Sequence, residues 1–285
     1  MALISAAELL EDLSDPLLRV CDVRWALGDP GRGRREYEKG HIPGAIFVDL
    51  DSDLSAAPPG VRHPAGGRHP LPEPRDFAAR LGALGVGSGH RVVVYDDSNG
   101  TVAARLWWML DDLGHRDVRL LDGVLAAWKA MGGPLTSESP SHPSARLELA
   151  ADWSHVIDRA TLAAGIDSVR LLDLRAPERY LGETEPVDRV AGHIPGAVSA
   201  PASGNLTTGG RFLAPSDLAE RYRSIALGGR TLVVSCGSGV TACHAAVALR
   251  VAGLPAPLLY AGSYSDWSAA GMPVESAVDR TKGTA

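Results

Sequence analysis

A single cysteine stands where covalent chemistry is easiest to build. Cys236 follows the apolar, partly β-branched run Thr231-Leu232-Val233-Val234 and opens Gly237-Ser238-Gly239-Val240-Thr241, after which Ala242, Ala245, Ala246 and Leu249 recur at helical spacing. Strand, cysteine, glycine-rich turn and helix, in that order, put a thiol at the carboxyl end of a strand and above a helix N-terminus. A thiolate there gains backbone amide donors and the positive end of the helix dipole, and the thiolate is the form that attacks. A cysteine serving only as a small apolar filler has no need of a Gly-Ser-Gly turn beside it.

Composition narrows what such a thiol could serve. The chain has 285 residues, a length that suggests two domains, and 45% of them are apolar, enough for each half to bury a core. A net charge of −6 and the lack of a basic stripe argue against nucleic-acid binding. No apolar run approaches the roughly 18 residues of a membrane span, so no membrane role is expected. The stretch from Met1 to Asp15 carries acids early and no basic segment, which speaks against a secretory signal. Three cysteines without a Cys-x-x-Cys pair fit a reducing cytoplasm and suggest neither a zinc ribbon nor a redox dithiol.

The elements that must position Cys236 are repeated. Gly40-His41-Ile42-Pro43-Gly44-Ala45 recurs as Gly192-His193-Ile194-Pro195-Gly196-Ala197. Val20-Cys21-Asp22-Val23-Arg24 answers Leu171-Leu172-Asp173-Leu174-Arg175, and Val92-Val93-Val94-Tyr95-Asp96 answers Leu232-Val233-Val234-Ser235-Cys236. Leu121-Asp122-Gly123 with Trp128 answers Tyr260-Ala261-Gly262 with Trp267. Four matching segments in one order indicate a duplication. The two copies part at the nucleophile, where Asp96 faces Cys236, so the first copy is expected to be catalytically silent. Histidines 41 and 193 occur in both copies and are therefore expected to fix a turn rather than to react.

Each copy reads as α/β. Apolar runs at 17–23, 45–49, 91–95 and 118–121 alternate with helical patterns at 5–13, 75–84, 101–113 and 124–131. Strands separated by helices imply a mostly parallel sheet with helices on both faces, and ligands of such sheets sit at the carboxyl ends of the strands. The expected division is a silent domain over 1–136, a Ser- and Pro-rich linker over 137–151, a catalytic domain over 152–276 and a polar tail over 277–285. The Pro-, Gly- and His-dense stretch from Leu54 to Pro74 is a long loop of the kind that usually carries function. Trp107 and Trp108 fall in a helical pattern and are expected in the core. Cys243, two helical turns beyond Cys236, and Cys21 on its strand are expected to be buried and inert.

The tandem repeat, both His-Ile-Pro-Gly-Ala motifs and the loop Cys236-Gly237-Ser238-Gly239-Val240-Thr241-Ala242 resemble the two-domain rhodanese family of sulfurtransferases, over residues 3–275. The loop is similar to that of the family's 3-mercaptopyruvate enzymes, whereas thiosulfate-preferring animal members carry Arg and Lys inside it. The resemblance implies that Cys236 takes sulfur from an anionic donor, becomes a persulfide and yields the sulfur to cyanide, a small thiol or a thioredoxin-like protein, with no metal or organic cofactor. The loop residues Gly237, Gly239, Val240 and Thr241 would hold the thiolate and the persulfide through their amides.

The resemblance also assigns the donor's anionic end. Arg179, in Arg175-Ala176-Pro177-Glu178-Arg179, matches a substrate-binding arginine, and its planar fork suits a carboxylate or sulfonate. Arg175 matches a second arginine, with an ion pair to Asp173 as the alternative. The mercaptopyruvate enzymes carry a further arginine shortly before the second His-Ile-Pro-Gly. Here Asp188 occupies that position, and Arg189, one residue later, would bind the donor in its place only if the loop shifts. Ser238, His69 and Asp51 match a relay that could protonate the leaving enolate.

Two other chemistries compete. A phosphate cradle of the Cys-x5-Arg kind would need an arginine at position 242, where Ala242 stands, so phosphatase chemistry is not expected. A sulfur carrier serving a protein partner would use the same Cys236 persulfide. Between 3-mercaptopyruvate and thiosulfate the residues leave the donor open.

Overall fold

The structure is a computed structural model that describes residues 1–56, 66–225 and 229–277. The chain divides into two compact units. The first comprises the described residues of 1–59, 71–154 and 207–212, and the second those of 60–70, 155–206 and 213–285. Residues 66–70 of the long first-half loop thus group with the second unit, and the central part of that loop lies outside the described residues. So does most of the expected tail. The segment over 137–151, expected as a linker, is mostly exposed and groups with the first unit, where Ala145 N–H donates to the Gly82 carbonyl at 2.8 Å and Ala150 N–H to that of Leu113 at 3.0 Å.

In the first unit the strands are β1 (Leu3–Ile4), β2 (Leu18–Asp22), β3 (Ile46–Phe47), β4 (Arg91–Tyr95) and β5 (Val118–Leu121). They form a sheet ordered β1-β5-β4-β2-β3. The second unit holds β6 (Val169–Asp173), β7 (Val198–Ser199), β8 (Thr231–Ser235) and β9 (Leu258–Leu259), ordered β7-β6-β8-β9. Every pairing in both sheets is parallel. Strand β2 is buried at all five positions and β4 at four, as sheets covered on both faces require.

The first unit's helices are α1 (Ala6–Asp12), α2 (Arg32–Lys39), α3 (Pro74–Ala83), α4 (Ala103–Asp112) and α5 (Val124–Ala130). Those of the second are α6 (Arg159–Ala164), α7 (Pro177–Leu181), α8 (Pro215–Ile225), α9 (Cys243–Val251) and α10 (Ser263–Ala269). Helix α1 starts on a capping box in which Ser5 and Glu8 bond reciprocally. The cores repeat as the sequence does: Ile42, Val93 and Trp128 in one unit take the places of Ile194, Val233 and Trp267 in the other. Trp107 and Trp108 are buried. The two motif histidines do structural work. His41 stacks on Tyr37 with centroids 3.8 Å apart and bonds its carbonyl through Nδ1 at 2.8 Å. His193 does the same with Tyr180, at 3.9 Å and 2.7 Å.

Strand β8 lies between β6 and β9, and Cys236 is the first residue beyond its carboxyl end. The site therefore grows from the interior of the second sheet.

Candidate active site

Cys236 is 3% exposed and its backbone is held on both sides. Its N–H donates to Ser263 Oγ at 3.0 Å, and its carbonyl accepts from Tyr264 N–H at 3.0 Å. The Gly237 carbonyl accepts from Ser265 N–H at 2.9 Å. The start of α10 thereby clamps the first two residues of the loop. Ser263 holds a left-handed φ of 51° and is fully buried, a conformation rare for a non-glycine residue. The loop reverses at Gly239, with φ of 76°, and runs into α9.

The first copy, with Asp96 in place of the cysteine, shows where its own loop aims its amides. Asp96, in the register of Cys236, is fully buried. Its carboxylate accepts from the N–H groups of Ser98, Gly100 and Val102 at 2.8 Å and of Ala103 at 2.9 Å. Burial raises its pKa, and the four amide bonds oppose that rise. Asn99, with φ of 59°, turns this loop where Gly239 turns the other. Cys236 occupies the matching position in the second unit, at the start of the loop that runs into α9. One copy fills this position with a carboxylate bonded to its own loop, and the other puts a thiol there.

The remaining thiols are inert by burial. Cys21 is fully buried and its thiol is pushed up to about 12, chiefly by desolvation. Cys243 is fully buried and donates to the Gly239 carbonyl at 3.4 Å.

Around the thiol the second unit collects hydroxyl, imidazole and guanidinium groups. His69 Nδ1 lies 2.8 Å from Ser238 Oγ, two residues past the nucleophile. Asp51 belongs to the first unit, where its carboxylate accepts from Trp25 Nε1 at 3.0 Å. Arg179, in α7, is anchored to Glu185 through Nε at 3.2 Å and Nη2 at 2.6 Å. Its Nη1 lies 3.4 Å from where a Cβ on Gly237 would stand, and Arg68 Nη2 lies 2.9 Å from the same point. Glycine at 237 therefore leaves room for two guanidinium groups beside the nucleophile.

Arg175 turns inward. Its fork binds Asp173 at 2.7 Å, Glu185 at 3.3 Å and the Gly192 carbonyl at 2.7 Å, and its guanidinium lies 4.0 Å over the Tyr264 ring. Burial tends to lower its pKa, but Asp173 more than offsets that and the net shift is upward. Arg24 makes the same pair with Asp22 and the Gly40 carbonyl in the silent copy. The same pairing thus recurs in both copies, and the Arg175 guanidinium is occupied by these partners. Arg189 is exposed, and Asp188 beside it is buried. Among the described residues no group of three His, Cys, Asp or Glu could hold a metal ion.

Glu185 connects the arginines. Its side chain is 3% exposed. Burial pushes its pKa up, but the Arg179 hydrogen bond and the amides of Asp188 and Val187 prevail and hold it below the ordinary 4.5. A carboxyl with a depressed folded value stabilises fully above its unfolded value and loses that contribution as pH falls through the folded one. At neutral pH Glu185→Gln is expected to destabilise by about 3–5 kcal/mol, as breaking a buried pair does. That deficit should shrink as pH falls below 4.5 toward the lower folded value, because the unfolded chain takes up its proton before the folded carboxyl does. Melting curves of both proteins across the acid range check this, and parallel curves at all pH values would contradict it.

The sequence pointed to Arg179, Ser238 and His69 but missed Arg68, Glu185 and Asp188 as a linked set. The available signal was the charge reversal at Asp188, since a buried aspartate among arginines needs a partner.

The profile of the rhodanese-like domain family matches residues 5–131 and 158–270. The chain is 51% identical over 271 residues to the "Probable 3-mercaptopyruvate sulfurtransferase" of Pseudomonas aeruginosa, covering 93% of this chain and 94% of that one. It is 34% identical over 279 residues to the thiosulfate sulfurtransferase of Rattus norvegicus, covering 93% and 91%. The structure of 3-mercaptopyruvate sulfurtransferase from Leishmania major superposes with a TM-score of 0.81 at 30% identity, over 94% of this chain and 74% of that one. No helix among the described residues is long and apolar enough to cross a membrane. A duplicated parallel α/β unit, a cysteine loop intact in only one copy and these matches agree, and the chain belongs to the rhodanese family as a two-domain sulfurtransferase.

Proposed function

We propose that this chain takes the thiol sulfur of 3-mercaptopyruvate onto Cys236 as the outer sulfur of a persulfide and passes it to a thiophilic acceptor, either cyanide or a thiol such as that of a thioredoxin-like protein. The Cys236 thiolate attacks the donor sulfur. An S–S bond forms, the donor's C–S bond breaks, and its electron pair leaves with the enolate of pyruvate. The acceptor then attacks the outer sulfur of the persulfide and releases the Cys236 thiolate, which closes a ping-pong cycle. The loop amides stabilise the anionic sulfur in both halves of the cycle. Arg179 holds the donor's carboxylate, with Arg175 and Glu185 fixing its position. Three buried free cysteines suit a reducing compartment, and the cytoplasm is the proposed location.

The observation that favours this donor is the 2.8 Å distance between Ser238 Oγ and His69 Nδ1. A departing enolate needs a proton at its oxygen or carbon, and a hydroxyl backed by imidazole can supply one. Sulfite, which leaves when thiosulfate is the donor, needs none. Ser238→Ala and His69→Ala are therefore expected to lower kcat with 3-mercaptopyruvate by about 10²-fold, the lower range for a lost proton donor, while thiosulfate turnover stays close to wild type. The deciding measurement is kcat/KM for both donors, side by side, with cyanide as acceptor. A thiosulfate preference in the wild-type protein, or equal losses on both donors in the variants, overturns the donor assignment. Negligible rates with either donor would indicate a carrier fed by a protein.

A further inference from the structure

Asp188 stands where mercaptopyruvate enzymes of the family carry an arginine. The structure supplies a guanidinium from elsewhere in the chain. We propose that Arg68 is the second arginine of the donor-anion site, held for that task by Asp188. The proposal rests on the sulfurtransferase reading and adds a specificity-determining residue to it.

Four observations carry it. Arg68 Nη1 donates to Asp188 Oδ1 at 2.5 Å, and Asp188 Oδ2 lies 3.5 Å from Arg179 Nη2, so one buried carboxylate spans both arginines. The Arg68 backbone is fixed as well, its N–H donating to Ser265 Oγ at 3.2 Å, next to the residues that clamp Cys236. The anchors use only one side of each fork. Arg179 spends Nε and Nη2 on Glu185 and turns Nη1 toward Gly237, while Arg68 spends Nη1 on Asp188 and turns Nη2 toward the same glycine. Arg68 Nε is buried without a hydrogen-bond partner among the described residues, which leaves donor capacity unspent beside the loop.

Two guanidinium edges converge on the residue after the nucleophile and bring N–H donors together there. A planar carboxylate, or the sulfonate end of thiosulfate, would bridge them with charge-assisted bonds. Glu185 and Asp188 balance the two cations, so the arginines stay fixed without a donor present and little ordering remains for binding to complete. The silent copy lacks this arrangement. Glu36 precedes Tyr37 where Arg179 precedes Tyr180, and the short segment from Tyr37 to His41 replaces the longer one that carries Glu185 and Asp188.

A purely structural ion pair between Arg68 and Asp188 makes a different prediction, because it serves both halves of the cycle alike. The test separates those halves by single-turnover kinetics on the full chain. Loading of Cys236 by 3-mercaptopyruvate is followed first, and then removal of sulfur from the loaded protein by dithiothreitol, an uncharged acceptor. Arg68→Ala is expected to lower the loading constant by about ten- to a hundredfold, as loss of one charge-assisted hydrogen bond does, through a raised donor KM. Unloading should stay at the wild-type rate. Arg68→Lys, which keeps the charge but not the fork, should recover part of the loss. Wild-type loading in Arg68→Ala, or equal slowing of loading and unloading together with a lowered melting temperature, overturns the proposal. Failure of the wild-type protein to load from any small donor would instead remove the sulfurtransferase donor reading beneath it.

Discussion

Cys236→Ser is expected to abolish sulfur transfer, with a loss of at least about 10⁴-fold, the scale seen when an enzyme's nucleophile is removed. The substitution is nearly isosteric, and the backbone bonds to Ser263 and Tyr264 do not involve the side chain. The loop should therefore keep its shape and the melting temperature should hold. What disappears is the thiol, the group that can attack a sulfur donor and carry a second sulfur. No other thiol can take over. Cys21 lies in the first unit with its thiol pushed up to about 12, and Cys243 is fully buried. Intact-mass measurement after donor treatment checks the point directly. Wild-type protein should gain one sulfur atom that cyanide removes, Cys243→Ala should do the same, and Cys236→Ser should gain none. Sulfur stably loaded on Cys236→Ser would mean that another cysteine is the carrier.

The nucleophile was readable because everything that places it is local. Strand β8 ends at Ser235, one residue before Cys236, and β4 ends at Tyr95, one residue before Asp96, as the alignment of the copies required. Runs such as Arg91–Tyr95 have the period and composition of a strand buried on both faces. Helix α2 was less legible. Its sequence, Arg-Gly-Arg-Arg-Glu-Tyr-Glu-Lys, offers only Gly33 and Tyr37 to the interior, so no apolar period announces it. Gly33 is there because a Cβ would stand 1.7 Å from the Arg24 carbonyl, a close approach that only the folded chain reveals. The anion site was legible in part. Arg179 could be matched by its motif. Arg68 is separated by 120 residues from the aspartate that anchors it, and no local pattern predicts such a partner. Arg175 illustrates the opposite case. Its burial in an ion pair became clear from Arg24, which makes the same pair in a copy with no thiol to serve.

Gly239→Ala is expected to cost both stability and activity, and Gly239→Asn tells why. Two physical terms act at this position. The residue holds φ of 76°, where an alanine is disfavoured by about 1–2 kcal/mol. A Cβ there would also stand 2.2 Å from the Ala261 carbonyl oxygen and 2.9 Å from its carbon, so backbone must move. Asparagine relieves the first term, since it tolerates the left-handed region, but keeps the second. The silent copy shows that asparagine alone can make this turn, for Asn99 does so at φ of 59°. The turns that follow the last strands differ as well: Gly123 has φ of 78°, whereas Gly262 has φ of −63°. In the second unit, then, close approach of residue 261 dominates, and Gly239→Asn should fare little better than Gly239→Ala. Relieving the clash displaces Gly239 from Ala261 and shifts the loop that follows Cys236. Loss of preorganised donors of this kind costs about 10²–10³ in kcat, and each kcal/mol of lost stability lowers the melting temperature by about 2–4 °C in a domain of this size. Both donors should suffer alike, because the cradle serves the sulfur and not the leaving group. Full recovery in Gly239→Asn would show that backbone conformation alone had been limiting, and a loss confined to 3-mercaptopyruvate would tie Gly239 to Ser238 and His69 instead.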